Sequence, residues 1–342
     1  MALFVKTTRH DAQQVKERLV QEQALRSDIA IDKDEEYLYF PVSKSIPGLH
    51  TLERESRHRK TPKTLKDALV GVLSEEELEE LIGSYDIVGS IAVLDIPESL
   101  VKHEETIAAA ALETNANVST VLKKTGIHGG EFRTQSYTCI AGIDTRETLV
   151  RESGCALLLD VERVYFSVRL STERLRLASL VTPGEKVLVL FSGAAPYVVV
   201  LAKHSIASRV VGVEKNPVGH EYALHNLGRN KFLPSHAAVY CADAAELNDI
   251  HEKEGVFNRI IMMLPSGAKE FLGSAVTVAN PARCVLHIYA FGAEHEVLLL
   301  EHEITQKLSA LGWHAHVDRA VKAGHHKPFV YRWCFDVSIS QH

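Results

Sequence analysis

The sequence has few of the residues that support disulfide-bonded or zinc-bound folds. Its 342 residues include five cysteines, which are widely spaced and form no C-x-x-C pair, so neither a disulfide framework nor a zinc site is indicated. We expect buried free thiols. No uninterrupted apolar run approaches the roughly 20 residues of a membrane span, so no membrane partner is expected. The charged first residues favour a cytoplasmic protein.

The sequence also lacks an excess of basic residues. Its formal net charge of −6 gives no overall attraction for nucleic acid, so any affinity for phosphates must come from local patches. The basic strip, Arg54 to Lys66, and the stretch from Lys322 to Arg332 are the candidates. A solvated linker is the alternative interpretation of the basic strip. Hydrophobic residues at 46% and charged residues at 24% are ordinary for a soluble globular protein.

A glycine-rich dinucleotide fingerprint is missing from the stretch that organises the chain, residues 185–214. There an apolar run, Val187 to Phe191, meets the small residues Ser192 to Ala195, and a helical run and a second apolar run ending in Glu214 follow. This pattern predicts a strand, a tight turn, a helix and a strand. The single glycine of the turn, Gly193, argues against a pyrophosphate ligand.

Alternating strands and helices continue to the end of the chain. Strands are predicted in seven apolar runs: Val187 to Phe191, Arg209 to Glu214, Ala237 to Cys241, Arg259 to Met263, Cys284 to Phe291, His314 to Val321 and Val330 to Ile339. This order predicts an α/β fold with a doubly wound, mostly parallel seven-stranded Rossmann-like sheet. Two smaller α+β domains are expected before it, which gives domains at 1–66, 67–165 and 166–342. A monomer is expected.

Two carboxylates and one proline fall at the predicted carboxyl edge of this sheet. Glu214 ends the second strand and Asp243 follows the third, so both should lie beside the Gly193 turn, as a ligand with a ribose and an adenine requires. Pro265 stops the fourth strand after Met263. No third carboxylate or histidine shares the pattern, so no metal is predicted.

A charged segment precedes the sheet. Ser171 is predicted to cap a short helix, in which Arg174 and Arg176 are expected on a solvated face. An apolar β-run, Val164 to Phe166, should hold the neighbouring Arg169 and Glu173 against the body of the fold.

Several of these motifs together resemble one enzyme family. The runs FSVRLSTER, FSGAAPYVVVLAK, VEKNPVGHEYALHNLGRNK, CADA and MLPSGAKEFL are similar to those of the archaeal and eukaryotic tRNA guanosine-37 N1-methyltransferases. The resemblance covers most of the chain, including GSYDIVGSIAVLDIP and HKPFVYRWCFDV. It implies S-adenosylmethionine as cofactor and tRNA as partner, gripped at the outer corner and the anticodon arm.

The resemblance also implies residue roles. Glu173 corresponds to the proposed general base, Arg133 to the arginine facing the guanine, and Arg169 and Tyr165 to residues around the methyl-transfer pocket. The cofactor-binding positions implied by the matched motifs are Phe191, Gly193, Glu214, Asp243, Ala244, Met263 and Pro265. A base and a cation suit this chemistry, because N1 of guanine carries a proton and its removal leaves negative charge near O6.

Two departures from the family pattern leave the substrate open. Met263 stands where the family usually has asparagine, and Val189 where it usually has an acidic residue. Some archaeal members share these departures, and a subset of them also methylates a tricyclic wyosine precursor at the same nucleotide. The sequence is also compatible with transfer of an aminocarboxypropyl group and with a tRNA-binding relative that has no catalytic activity.

Overall fold

The computed structural model describes residues 1–26, 29–56, 64–126 and 129–341. The chain divides into two compact units, Met1–Ala68 and Leu69–His342. Most of the basic strip, residues 57–63, lies outside the described residues. The predicted domain boundary near residue 166 falls inside the second unit, and it stays a prediction.

The first unit contains a four-stranded antiparallel sheet in the order β2-β3-β1-β4. An apolar cluster that includes Val5, Leu19 and Phe40 joins the first helix to this sheet. The elements are β1 (Ala2–Thr8), α1 (Ala12–Gln21), β2 (Asp32–Lys33), β3 (Tyr37–Val42), β4 (His50–Arg54) and α2 (Leu65–Leu69).

The second unit begins with a short helix, a four-stranded sheet in the order β5-β6-β7-β8, and a hairpin of β9 and β10. The elements are α3 (Glu75–Glu80), β5 (Asp86–Val88), β6 (Ile91–Leu94), α4 (Glu104–Thr114), β7 (Thr120–Lys124), β8 (Tyr137–Gly142), β9 (Glu147–Glu152) and β10 (Cys155–Asp160). Gly89 turns the chain between β5 and β6 at φ 59°. A 3-10 turn, Glu98–His103, leads into α4.

The rest of the second unit forms the predicted seven-stranded sheet, in the order β13-β12-β11-β14-β15-β17-β16. Neighbouring strands are parallel except at β15–β17 and β16–β17. The elements are α5 (Ser171–Ser179), β11 (Lys186–Leu190), α6 (Pro196–His204), β12 (Arg209–Glu214), α7 (Pro217–Arg229), β13 (Ala237–Cys241), α8 (Asn248–Glu254), β14 (Arg259–Met262), α9 (Leu272–Thr277), β15 (Cys284–Gly292), α10 (Val297–Ala310), β16 (His314–Lys327) and β17 (Val330–Ser340).

Helices cover both faces of this sheet, which explains why its central strands are apolar throughout. Side chains alternate between the faces of a strand, so Val187 and Val189 join one apolar cluster while Leu188 and Leu190 join the other. Gly212 lets α6 approach the sheet, because a Cβ there would lie 2.9 Å from a methyl carbon of Val198. The predicted doubly wound fold is confirmed.

The segment before the sheet differs from its prediction. Val164 to Phe166 is not a strand; Val164 is buried and its N–H donates to the Asp160 carbonyl at 3.0 Å. Ser171 does not cap α5, because a 3-10 turn (Val168–Leu170) runs directly into the helix and gives Ser171 helical dihedral angles. In α3, by contrast, the N-terminus is capped by a side chain, since Ser74 and Glu77 form a capping box.

Two expectations about burial were wrong. Arg174 and Arg176 do not form a solvated face; the Arg174 side chain is 1% exposed and that of Arg176 is 19% exposed. Cys241 is exposed at the end of β13, although Cys155, Cys284 and Cys334 are buried as expected. Within the described ranges, none of the helices is long and apolar enough to cross a membrane.

Candidate active site

The turn after β11 has an unusual backbone. Phe191, Gly193 and Ala195 adopt positive φ angles of 59°, 55° and 64°. Positive φ is uncommon for residues other than glycine and concentrates at functional sites. Ring contact holds Phe191 in place, since its centroid lies 5.0 Å from that of Phe271 in an edge-on arrangement. The two predicted cofactor-binding residues of this turn are therefore held in a conformation that the fold must stabilise.

Glu214 lies directly beside this turn. Its carboxylate accepts hydrogen bonds from the N–H groups of Gly193, at 2.7 Å, and Asn216, at 2.8 Å. Burial raises the pKa of Glu214, and these N–H donors oppose the rise. Hydroxyl donors from a bound ribose would add to the groups that stabilise the ionised form. The geometry thus places a carboxylate where the sequence predicts a ribose acceptor.

Asp243 lies on the neighbouring strand end and is tied to the residue after Glu214. Its carboxylate accepts from Lys215 Nζ at 2.7 Å and from the Ala245 N–H at 2.9 Å. The Lys215 hydrogen bond is the main reason that the pKa of Asp243 is lowered. Lys215 also pairs with Glu131. Ala244 is buried, and its carbonyl accepts from Ser274 Oγ at 2.6 Å.

The segment after β14 meets the loop that carries Arg133. The strand ends at Met262, one residue earlier than predicted, and Met263 and Pro265 follow it, half-buried. Arg133 adopts a positive φ of 52° and its guanidinium donates to the hydroxyl of Ser266. The structure therefore brings the predicted guanine-facing arginine to the segment that follows β14.

Tyr165 and Arg169 lie on the segment that crosses this edge. A Cβ on Gly193 would lie 3.5 Å from the Tyr165 carbonyl oxygen, so the backbone of Tyr165 borders the turn. The Tyr165 hydroxyl accepts from Arg332 Nη2 at 3.1 Å. Arg169 is exposed and its Nε donates to Asp86 at 2.9 Å, which connects the segment to β5.

Glu173, the predicted base, is buried in the first turn of α5. Both of its carboxylate oxygens accept from the guanidinium of Arg176, at 2.7 Å and 2.8 Å, and one also accepts from the hydroxyl of Tyr289 on β15. Arg176 is shared, because it also donates to Asp336 on β17 at 2.7 Å. The base candidate therefore belongs to a buried network that the sequence did not predict.

The network continues through a histidine whose tautomer can be assigned. His287 Nε2 lies 2.7 Å from Arg259 Nη1 and Nδ1 lies 2.6 Å from Asp336 Oδ1. A guanidinium can only donate, so Nε2 accepts and the Nδ1–H donates to Asp336. Burial lowers the pKa of His287 despite Asp336, which agrees with a neutral ring.

The network contains more carboxylates than guanidinium groups. Arg259 also pairs with Glu185 at 2.7 Å, so three carboxylates share two guanidinium groups. Burial opposes ionisation of Asp336, but its bonds to His287 and Arg176 outweigh burial and hold the pKa of Asp336 well below its ordinary value. Asp336 therefore stays ionised, and the guanidinium of Arg176 pairs with both its carboxylate and that of Glu173.

His287, Cys334 and Asp336 bring their possible ligand atoms within 4.8 Å of one another. Arg176 fills the electrostatic role of a cation there, since its Nη2 lies 3.2 Å from both Cys334 Sγ and Asp336 Oδ1. We interpret the cluster as the ion-pair network and not as a metal centre.

Family models match three consecutive parts of the chain. Residues 5–50 match the tRNA methyltransferase 5 N-terminal domain, residues 65–145 the TYW2 N-terminal domain, and residues 148–316 the TRM5/TYW2 methyltransferase domain. The tRNA (guanine(37)-N(1))-methyltransferase Trm5b of Pyrococcus abyssi is 34% identical over 296 residues, which cover 86% of each chain. The chain belongs to the TRM5/TYW2 methyltransferase family.

Two further relatives agree with this assignment. The tRNA (guanine(37)-N(1))/4-demethylwyosine(37)-methyltransferase Taw22 of Nanoarchaeum equitans is 28% identical over 69% of this chain and 93% of its own. The crystal structure of wild-type Trm5b from Pyrococcus abyssi superimposes with a TM-score of 0.72 at 31% identity, covering 99% of this chain and 100% of the other. The TRM5/TYW2 fold therefore extends over both compact units of the chain.

Proposed function

We propose that this protein methylates N1 of guanosine 37 in tRNA with S-adenosylmethionine as the methyl donor. The observation that carries the proposal is the buried carboxylate of Glu173, which follows the segment bordering the cofactor edge and shares its guanidinium partner with Asp336. The names of the relatives support the substrate: the Pyrococcus abyssi protein is named a tRNA (guanine(37)-N(1))-methyltransferase.

The carboxyl edge fits an adenosyl cofactor. Glu214 would accept from the ribose hydroxyls, and Asp243 with Ala244 would border the adenine. Bound there, S-adenosylmethionine supplies a methyl group on a positively charged sulfonium, which is a good leaving group. The turn beside Glu214 holds Phe191, Gly193 and Ala195 in positive φ, and the Gly193 N–H donates to the Glu214 carboxylate.

Two residues of this chain would accept the N1 proton of guanine and stabilise the negative charge at its O6. Glu173 would accept the N1 proton and hold it on its carboxyl group until release, while the bound cofactor would supply the methyl group and keep the electrons of the broken S–C bond as a neutral thioether. Arg133, held at Ser266 beside the Met263 to Pro265 segment, stabilises the negative charge that develops at O6. Arg169 and Tyr165 would line the pocket around the base.

The proposal is tested by incubating unmodified tRNA with the protein and S-adenosylmethionine and analysing the nucleosides by mass spectrometry. We expect 1-methylguanosine, located at position 37 by nuclease mapping. A tRNA with adenosine at position 37 is the matched control and should gain no methyl group. Methylation elsewhere, or none, would contradict the proposal.

Methylation of a tricyclic wyosine precursor at the same nucleotide is the second candidate. Met263 favours it, because this side chain is half-buried against an apolar cluster and replaces the amide of the usual asparagine. The similarity to Taw22 supports it as well. The same nucleoside analysis with tRNA that carries the precursor tests this candidate.

Replacing Asp243 with alanine should weaken S-adenosylmethionine binding. Loss of a hydrogen bond to a charged group costs about 1.5–3 kcal/mol, and isothermal titration calorimetry measures the change. Glu246→Ala is the matched control, because Glu246 is an exposed carboxylate on the same loop. Equal affinities for the wild type and Asp243→Ala would remove Asp243 from the cofactor site.

A further inference from the structure

An aromatic and cationic strip extends from the network of Glu173 towards the turn between β16 and β17. We define the strip as Tyr165, Phe291, His326 and Arg332. Phe291 and His326 stack with centroids 3.9 Å apart and planes inclined by 18°. The Arg332 guanidinium lies 5.6 Å from the Phe291 ring and donates to the Tyr165 hydroxyl. The four side chains therefore form one continuous surface.

The strip lies on the same face of the sheet as Tyr289, which donates a hydrogen bond to Glu173. Side chains two residues apart on a strand share a face, so Phe291 lies beyond Tyr289, whose hydroxyl contacts Glu173. On β17 the partners of these two residues are Arg332 and Cys334. The distance from Tyr289 to Phe291 along the strand is about 7 Å, roughly two base-stacking spacings.

The electrostatics of the strip suit an unpaired nucleotide. Arg332 Nε is buried and has no hydrogen-bond partner among the residues that the structure describes, and such a donor is costly unless a ligand supplies an acceptor. Burial and the nearby charges of Arg332 and Lys327 lower the pKa of His326. A neutral imidazole stacked on a phenyl ring, beside a guanidinium, is a surface on which a base can stack and a phosphate can be neutralised.

We propose that the strip binds the nucleobase adjacent to the methylated guanosine in the anticodon loop. This inference rests on the proposed function. The guanine itself must reach Glu173, which contacts Tyr289. The strip begins two residues further along β15, at Phe291, so we expect it to bind a neighbouring base. Stacking there would keep the loop open while the guanine occupies the pocket.

The inference is tested with tRNA that carries 2-aminopurine at position 36 or 38, since stacking quenches the fluorescence of this base. The wild type should quench one of the two positions. His326→Ala and Phe291→Leu should lose that quenching and bind tRNA about 5- to 150-fold more weakly, the range for one stacked base. His325→Ala is the matched control, because His325 contacts Tyr331, which is outside the strip, and it should behave as the wild type does.

The outcomes separate this inference from the proposed function. The strip inference alone is overturned if the wild type forms 1-methylguanosine but quenches 2-aminopurine at neither position. It is also overturned if His326→Ala and Phe291→Leu both bind tRNA as tightly as the wild type does. A wild type that forms no 1-methylguanosine would overturn the proposed function, and the strip inference with it.

Discussion

Glu173→Gln should lower the single-turnover rate of methylation by about 10²- to 10⁴-fold, the usual contribution of a general base. The amide keeps the shape of the side chain but cannot accept the N1 proton. Binding of S-adenosylmethionine and of tRNA should survive, because Glu214, Asp243 and the strip do not depend on the charge of Glu173. Rapid-quench measurements with saturating cofactor and tRNA test this expectation.

The pH profile separates the base role from a structural role. If Glu173 is the base, the pH dependence of the rate should differ between the wild type and Glu173→Gln, because only the wild type has a carboxylate that can accept the N1 proton. Glu252→Gln, at an exposed position on α8, is the control and should keep both the wild-type rate and the wild-type pH dependence. If Glu173→Gln is as fast as the wild type, another group takes the proton, and Glu173 serves only to anchor Arg176.

Arg174→Met should destabilise the second unit by about 3–5 kcal/mol, the usual cost of removing one partner of a buried ion pair. Arg174 Nε donates to Glu152 at 2.6 Å, its Nη2 donates to the other carboxylate oxygen, and the two side chains are only 1% and 8% exposed. Arg174 also donates to the Ser167 carbonyl at 3.2 Å. The methionine would leave the Glu152 carboxylate buried without its charged partner.

The chain offers both a reporter and a control for this measurement. Its two tryptophans, Trp313 and Trp333, are buried in the second unit, so urea unfolding followed by tryptophan fluorescence reports on that unit. The double variant Arg174→Met/Glu152→Leu removes both charges and should recover most of the lost stability. Equal losses in the single and double variants would mean that the arginine stabilises the fold through its packing and not through its charge.

The sequence predicted the central sheet well because its strands are long apolar runs with clear ends. The predicted bounds of β12 and β13 agree with the structure, and β11 differs by one residue at each end. β9 was missed, because charged residues interrupt its short apolar pattern, Glu147–Glu152. The edge residues Glu214 and Asp243 were placed correctly for a similar reason, since the end of a strand fixes the position of the residue that follows it.

The buried arginines could not be predicted from local pattern. Arg174 and Arg176 stand in a helix rich in charge, and such a helix is most often solvated. Their burial depends on partners distant in sequence, Glu152 on a hairpin and Asp336 on the last strand. Only a comparison of positions across the whole sheet could have revealed them.

The contact of Arg176 with Asp336 bears on the order in which the two parts of the site form during folding. Arg176 and Asp336 are 160 residues apart, and β17 enters the sheet between β15 and β16. Contacts over such separations form late, because loop closure must precede them. The edge formed by β11, β12 and β13 needs only nearer neighbours in sequence. A folding chain would therefore gain the ability to hold the cofactor before it gains the ability to react.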